Sequence, residues 1–226
     1  MPATQVLLAW SGGKDAAWTL HTLCQRDDLE VVALLTTITR EHGRASMQGI
    51  RREVLQAQAR AAGLSLLEAE IPAQCDNEDY EQAMASALAA AAARWPGLRA
   101  MAFGDLFLSD IRAYRERNLA RIGWELLTPL FASDTAVLAR EMIAGGLQAH
   151  LCCVDTRQLD ARFAGHAFDA SLLHALPPGI DPCGENGEFH TCVSDGPMFA
   201  APLVLQRGGT VLRDARFAYA DYVLER

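Results

Sequence analysis

Lysine is almost absent from this chain: the basic residues total 20, and all but Lys14 are arginine. A cationic surface is missing as well. The net charge is -8 and the isoelectric point is near 5.2, whereas binding a phosphate backbone requires clustered Lys and Arg, so composition argues against a nucleic-acid partner. No apolar run is long enough to cross a membrane, and the opening MPATQVLLAW lacks the basic start of a secretory signal. The expected compartment is the cytoplasm, with no membrane partner. The cysteines, 6 in all, include no CxxC pair and follow no small secreted framework, so reduced thiols are expected. What the chain does have is apolar content: 226 residues, 50% hydrophobic, suffice to bury a core as one large domain or two small ones.

The first half alternates strands with helices. QVLLAW reads as a strand ended by Ser-Gly-Gly, and Ala17, Leu20 and Cys24 then recur at helical spacing. LEVVALLTTI is a second, β-branched strand. GIRREVLQAQARAAGL places Ile50, Val54, Leu55, Ala61 and Ala62 on one side of a helix that stops near Gly63, before a third strand, LSLLEAEIP. NEDYEQAMASALAAAAARWPG opens with an Asn cap and an acidic first turn and ends at Pro96-Gly97, and LRAMAFGD is a fourth strand. Strands separated by such helices imply right-handed crossovers and a parallel sheet. The second half is less regular. WELLTPLF and LQAHLCCVD read as strands, and DTAVLAREMIAGG and FDASLLHALPPG as helices. IDPCGENGEFHTCVSDGPMF is expected as one long polar loop, and Gly208-Gly209, between alternating apolar residues, as a hairpin turn. The domain boundary falls near 125/126.

The lone lysine sits in SGGKD, residues 11–15. A glycine turn leading from a parallel strand into a helix offers backbone N–H groups and a positive dipole end to an anion. The spacing is too short for GxxxxGK[ST], Asp15 supplies no magnesium-binding hydroxyl, and GxGxxG is absent. Ser11, the N–H groups of Gly12 and Gly13, and the compact charge of Lys14 suit a pyrophosphate group. An ordinary glycine turn with a solvated lysine is the competing reading.

SGGKD after the first strand is similar to the SGGxDS signature of the PP-loop, or N-type ATP pyrophosphatase, superfamily. GDLFLSDIRAYRER and DPCGENGEFHTCVSDGPMF further resemble the branch that contains the diphthine ammonia ligases and their bacterial relatives. The resemblance implies an α/β chain: a Rossmann-like, parallel-sheet domain that binds ATP over 1–125, and a smaller C-terminal α/β domain over 126–226 that shapes the acceptor site. It also implies adenylation of a carboxylate with release of pyrophosphate, and displacement of AMP by ammonia or an amine. Ala16 departs from the second Ser of the signature, and Ser109 stands where related bacterial sequences carry an acidic residue.

The remaining candidates follow from position. Gly104 and Asp105 lie at the expected end of the fourth strand, on the edge of the phosphate turn, where a carboxylate could hold Mg²⁺; a helix or loop cap is the alternative. Asp15 reads as the start of the first helix or as a neighbour of the pyrophosphate. Asp110 and Arg112 open the next helix inside the matched motif and are assigned to the substrate. Glu185 and Glu188, across Asn186-Gly187, could receive an amine, an ammonium ion or a cationic acceptor, or one could serve as general base if burial raises its pKa. Asn186 and Thr191 would orient the acceptor. Cys183, His190 and Cys192 lack a fourth zinc ligand and the usual spacing, and Trp10 either borders adenine or packs. The expected function is an ATP-dependent, AMP-forming amide ligase using ATP and Mg²⁺, with Lys14, Glu185 and Glu188 catalytic. A nucleotide sensor without turnover and a tRNA-thiolation enzyme are the alternatives, the latter calling for paired reactive cysteines and a basic surface. A homodimer is possible.

Overall fold

The computed structural model describes residues 2–107 and 109–225; Leu108, inside the GDLFLSDIR motif, and the two terminal residues lie outside them. The first sheet contains β1 (Thr4–Ala9), β2 (Leu29–Thr39), β3 (Arg44–Ala45), β4 (Ser65–Ile71), β5 (Leu98–Ala102) and β6 (Glu125–Leu127). Its parallel strands run in the order β4-β2-β1-β5-β6, and β3 pairs antiparallel with the end of β2. Chain order reverses between β1 and β5, the place where open parallel sheets bind ligands. The connections carry α1 (Lys14–Cys24), α2 (Arg52–Ala61), α3 (Asn77–Arg94) and α4 (Ser109–Ala120).

Burial on both faces explains the unbroken apolar runs of the inner strands. Val6 and Leu8 pack with α1 and α2, whereas Leu7 joins Leu35, Met101 and Phe103 on the opposite face. The inward side of α2 is Val54, Leu55, Gln58 and Ala59; Ile50 is buried ahead of the helix, and Ala61 and Ala62 are half-buried, so the expected stripe is displaced. Asp76 caps α3, accepting the Asp79 N–H at 2.9 Å, one residue before the expected Asn.

The second half contains α5 (Thr135–Ala144), β7 (Gln148–Asp155), a 3-10 turn at Ala161–Phe163, α6 (Ala170–Ala175), β8 (Phe189–Asp195), β9 (Leu205–Arg213) and β10 (Phe217–Leu224), with an antiparallel sheet ordered β8-β7-β10-β9. Two expectations are corrected. The segment read as one polar loop is a loop only to Glu188 and then becomes β8, because Phe189, Thr191, Cys192 and Val193 are all buried. The hairpin turns at Asp214-Ala215, which adopt φ 51° and 48°; two successive left-handed residues match the twist of the flanking strands, and Gly208-Gly209 lies within β9. The β6 strand straddles the expected boundary, since it pairs with β5 up to Leu127.

One continuous core runs from Val6 and Leu8 through α1 and α2 to Val154, Ala218 and Tyr222 of the second sheet. Polar contacts seal its edge. Asp221 on β10 accepts hydrogen bonds from Arg44 Nη1 at 2.8 Å and from Arg51 Nε and Nη2 at 3.0 and 2.6 Å. Burial pushes the Asp221 carboxyl up, but the hydrogen bonds from Arg51 and Arg44 outweigh it and hold the group well below the usual carboxylate range.

A folded-state pKa depressed in this way stabilises the protein above the unfolded value of about 3.9, and that contribution drains away as the pH falls below it. Replacing Asp221 with Asn should cost about 2 kcal/mol at neutral pH, the usual size for charge-assisted hydrogen bonds. Urea denaturation should also show a shallower loss of stability on acidification in the variant than in the wild type.

Candidate active site

The chain leaves β1 at Ala9 and turns through Ser11, Gly12 and Gly13 into α1 at the carboxyl edge of the sheet. Gly12 adopts φ +78°, and a Cβ there would lie 2.7 Å from Leu55 and 2.8 Å from Gln58. Neither the dihedral nor the space admits another residue. Gly104, just past β5, lies against the first turn of α1, where a Cβ would come within 2.8 Å of the Asp15 carbonyl carbon. Gly104 thus lets β5 and α1 approach, and Gly13, whose Cβ would lie 3.1 Å from the Thr191 carbonyl oxygen, admits a third backbone.

The third backbone is β8. Its outer edge meets the turn: the Val193 N–H donates to Gly12 O at 3.0 Å, and the Lys14 N–H donates to Thr191 Oγ1 at 3.0 Å. Thr191 thus caps α1 from the other half of the chain, and the structure brings it to the glycine turn. The Gly13 N–H donates to Ser11 Oγ at 3.3 Å. Gln58, which sequence reasoning passed over, is fully buried behind the turn; it accepts from Trp10 Nε1 at 3.0 Å and donates to Gly12 O at 3.0 Å and Val193 O at 2.7 Å. The available signal was an amide interrupting the apolar face of α2. Trp10 is buried in this packing, 2% exposed.

Lys14 is not the solvent-facing cation that a glycine turn suggests: it is 2% exposed. Its Nζ lies 2.8 Å from both carboxylate oxygens of Asp15 and 5.9 Å from the ring centroids of Phe168 and Phe189. Burial opposes the charge, but nearby acidic groups, Asp15 foremost and Glu185 among them, more than offset it, and the pKa rises.

The loop from Asp181 to Glu188 closes over this ammonium, and its two glutamates differ. Glu188 is 1% exposed, and its carboxylate accepts from the Asp181 N–H at 3.0 Å, the Asn186 N–H at 2.9 Å and Asn186 Nδ2 at 3.0 Å. That carboxylate shapes its own loop. Asp181 does the same, accepting from the Cys183 N–H at 2.7 Å and from Thr135 Oγ1 at 2.7 Å. Glu185 is half-buried, and burial, reinforced by Asp15, pushes its carboxyl up to about 7 against the pull of Lys14. Asn186 is exposed. Burial also drives the Cys183 thiol up to about 12, which leaves it protonated and unreactive at neutral pH.

The remaining candidates make other contacts. Asp105 is ion-paired with Arg115, whose guanidinium lies 4.0 Å above the Phe103 ring. Arg112 stacks 4.4 Å from the Phe131 centroid, and Asp110 is exposed on the first turn of α4. Among the described residues no three His, Cys, Asp or Glu side chains gather into a metal cage, and the Asp105 carboxylate is already neutralised.

Two family models match the chain: the diphthamide synthase N-terminal domain over residues 4–125 and the diphthamide synthase C-terminal domain over 134–213. A diphthine–ammonia ligase of Schizosaccharomyces pombe is 28% identical over 219 residues, which is 89% of this chain and 36% of that protein. The diphthine–ammonia ligase of Danio rerio is 33% identical over 123 residues, 51% of this chain and 48% of the relative, and that of Homo sapiens is 28% identical over 123 residues, 51% and 46%. The chain thus spans between about a third and a half of the length of these curated relatives.

Removing the buried ammonium leaves Asp15 and Glu185 facing each other without a counter-charge. Lys14→Ala should therefore cost about 3 kcal/mol in thermal or urea denaturation, the lower end for breaking a buried pair. Carboxyl-carbon NMR should find Glu185 titrating above its wild-type value of about 7.

Proposed function

The chain belongs to the diphthamide synthase family, and from that premise we propose that it is an ATP-dependent, AMP-forming ligase that adenylates a carboxylate and converts it to an amide with ammonia. The observation that carries the reading is the meeting, at the start of α1, of the glycine turn with Glu185, a carboxyl that titrates near neutrality. The turn supplies donors for the triphosphate: Ser11 Oγ, the Gly13 N–H and the first-turn N–H groups of α1 beyond that of Lys14, which Thr191 holds. Lys14 and Asp15 sit at its base, and Gly104 lets β5 approach it.

In the proposed sequence a carboxylate oxygen attacks the α-phosphorus, and pyrophosphate leaves. Ammonia then attacks the acyl carbon, and AMP departs with the electrons of the broken acyl–oxygen bond. The attacking nitrogen must lose a proton as the amide forms. Glu185 is our candidate to take it, because a group half-ionised near pH 7 both accepts and releases protons there. Glu188 and Asn186 keep Glu185 in place by shaping the loop, and Thr191 links that loop to the phosphate turn. Mg²⁺ would arrive with the nucleotide, since it favours phosphate and water oxygens; Asp105 could join it only by giving up Arg115. Asp110 and Arg112, in the first turn of α4, are proposed to border the acceptor. The relatives' names specify diphthine; for this chain we propose the carboxylate class. Thiolation is less well supported, given how far burial raises the thiols of Cys183 and Cys192.

Incubation with ATP, Mg²⁺, ammonium and candidate carboxylates should release AMP and pyrophosphate; ADP and phosphate would sink the proposal. Glu185→Gln should lower amide formation about 100-fold or more, the range for losing a general base, with ATP binding retained. Rates normalised to free ammonia should rise through pH of about 7 in the wild type, as Glu185 ionises, and lose that limb in the variant.

A further inference from the structure

Gln58 carries more than packing. An amide buried without partners is costly, and this one uses its carbonyl for the Trp10 indole and its amino group for two carbonyls, those of Gly12 and Val193. Gly12 O consequently has two donors, Gln58 Nε2 and the Val193 N–H, each at 3.0 Å. No peptide bond among the described residues is cis, and in a planar trans peptide the C=O and the following N–H point in opposite directions. Fastening the Gly12 carbonyl inward therefore turns the Gly13 N–H outward. There it meets Ser11 Oγ at 3.3 Å, a long contact that a charged oxygen would readily replace.

We propose that Gln58 is a positioning residue of the phosphate turn: it fixes the Gly12–Gly13 peptide so that the Gly13 N–H and the opening of α1 face an incoming phosphate, and through Val193 it ties that turn to β8 and the acceptor loop. It touches no substrate itself. Its role as anchor concerns the turn alone, and its effect on nucleotide affinity rests on the ligase reading above.

Two substitutions separate positioning from simple packing. Gln58→Met keeps the volume and removes every hydrogen bond. Gln58→Glu still accepts from Trp10, but as a carboxylate it offers no donor to the two carbonyls; burial would raise its pKa, so only acid restores a donor. Hydrogen exchange on the ligand-free protein should show the Gly13 and Lys14 amides exchanging about tenfold faster or more in Gln58→Met, a difference of 1.4 kcal/mol, with β1 and α3 unchanged. ATP titration should show affinity weakened about tenfold or more in Gln58→Met at every pH, and in Gln58→Glu weakened near pH 8 and regained near pH 5.5, below the raised pKa, relative to the wild type at each pH. Unchanged exchange at the turn overturns the proposal, and so does nucleotide affinity in folded Gln58→Met equal to that of a wild type that binds. If Gln58→Met fails to fold, the pH dependence of exchange at the turn in Gln58→Glu decides: acid-restored protection supports the anchor, and pH-indifferent exchange overturns it. A wild type that does not bind ATP, beside a turn loosened in Gln58→Met, refutes the ligase reading and upholds the anchor.

Discussion

A lysine only 2% exposed cannot stand without counter-charge, and much of the architecture around Lys14 answers that requirement. Asp15 follows it on the same helix turn, and Glu185 reaches it from the far half of the chain. Phe168 and Phe189 flank it with the faces of their rings, to which a cation is attracted. The space suits a compact charge on a slender stem better than a planar guanidinium, which accounts for a chain rich in arginine keeping its lysine here. The same requirement explains the folding of the acidic loop. Glu188 and Asp181 turn their oxygens inward on backbone donors, leaving Glu185 as the carboxyl that feels both the lysine and the solvent.

The two halves of the chain are consequently not a nucleotide domain with an appendage. Their apolar interiors merge, and the outer edge of β8 finds its partners in the turn after β1 and in Gln58. An edge strand ordinarily presents unpaired backbone groups to solvent; here part of that edge completes the site. The loop from Asp181 to Glu188 is thereby joined to the glycine turn through two residues of the following strand, Thr191 and Val193.

Much of the first half was legible because it depends on local pattern. VLL and LEVVALLTTI are apolar on both faces, SGG punctuates the chain, and the alternation with helices leaves few topologies. The second half resisted because its signals are tertiary. FHTCVSD mixes polar and apolar residues, and it is a strand because it pairs with β7 and buries Phe189, Cys192 and Val193 in the shared core. Asp214-Ala215 carries no glycine yet turns, while Gly208-Gly209 does not, because strand register outweighs local preference. The site was legible as a set of residues and not as an arrangement. SGGKD, Glu185 and Thr191 were marked, but their convergence and the burial of Lys14 depend on contacts far apart in sequence. Glu188 and Glu185 looked equivalent by spacing and were separated only by where their donors lie. Gln58 was hidden inside an amphipathic pattern.

With β8 consumed by the site, the second sheet is left with one open flank, β9, most of whose residues are exposed, Val211 and Leu212 at 50% and 60%. Such a flank invites another strand to add to it. At Gly208-Gly209 two residues without side chains give an incoming strand little to pack against, while Arg207 turns away to the Ala164 carbonyl and Arg213 lies over the Tyr219 ring. The glycine pair therefore weakens β9 as a template for strand addition at its middle, next to the exposed apolar pair Val211 and Leu212 that would otherwise favour it.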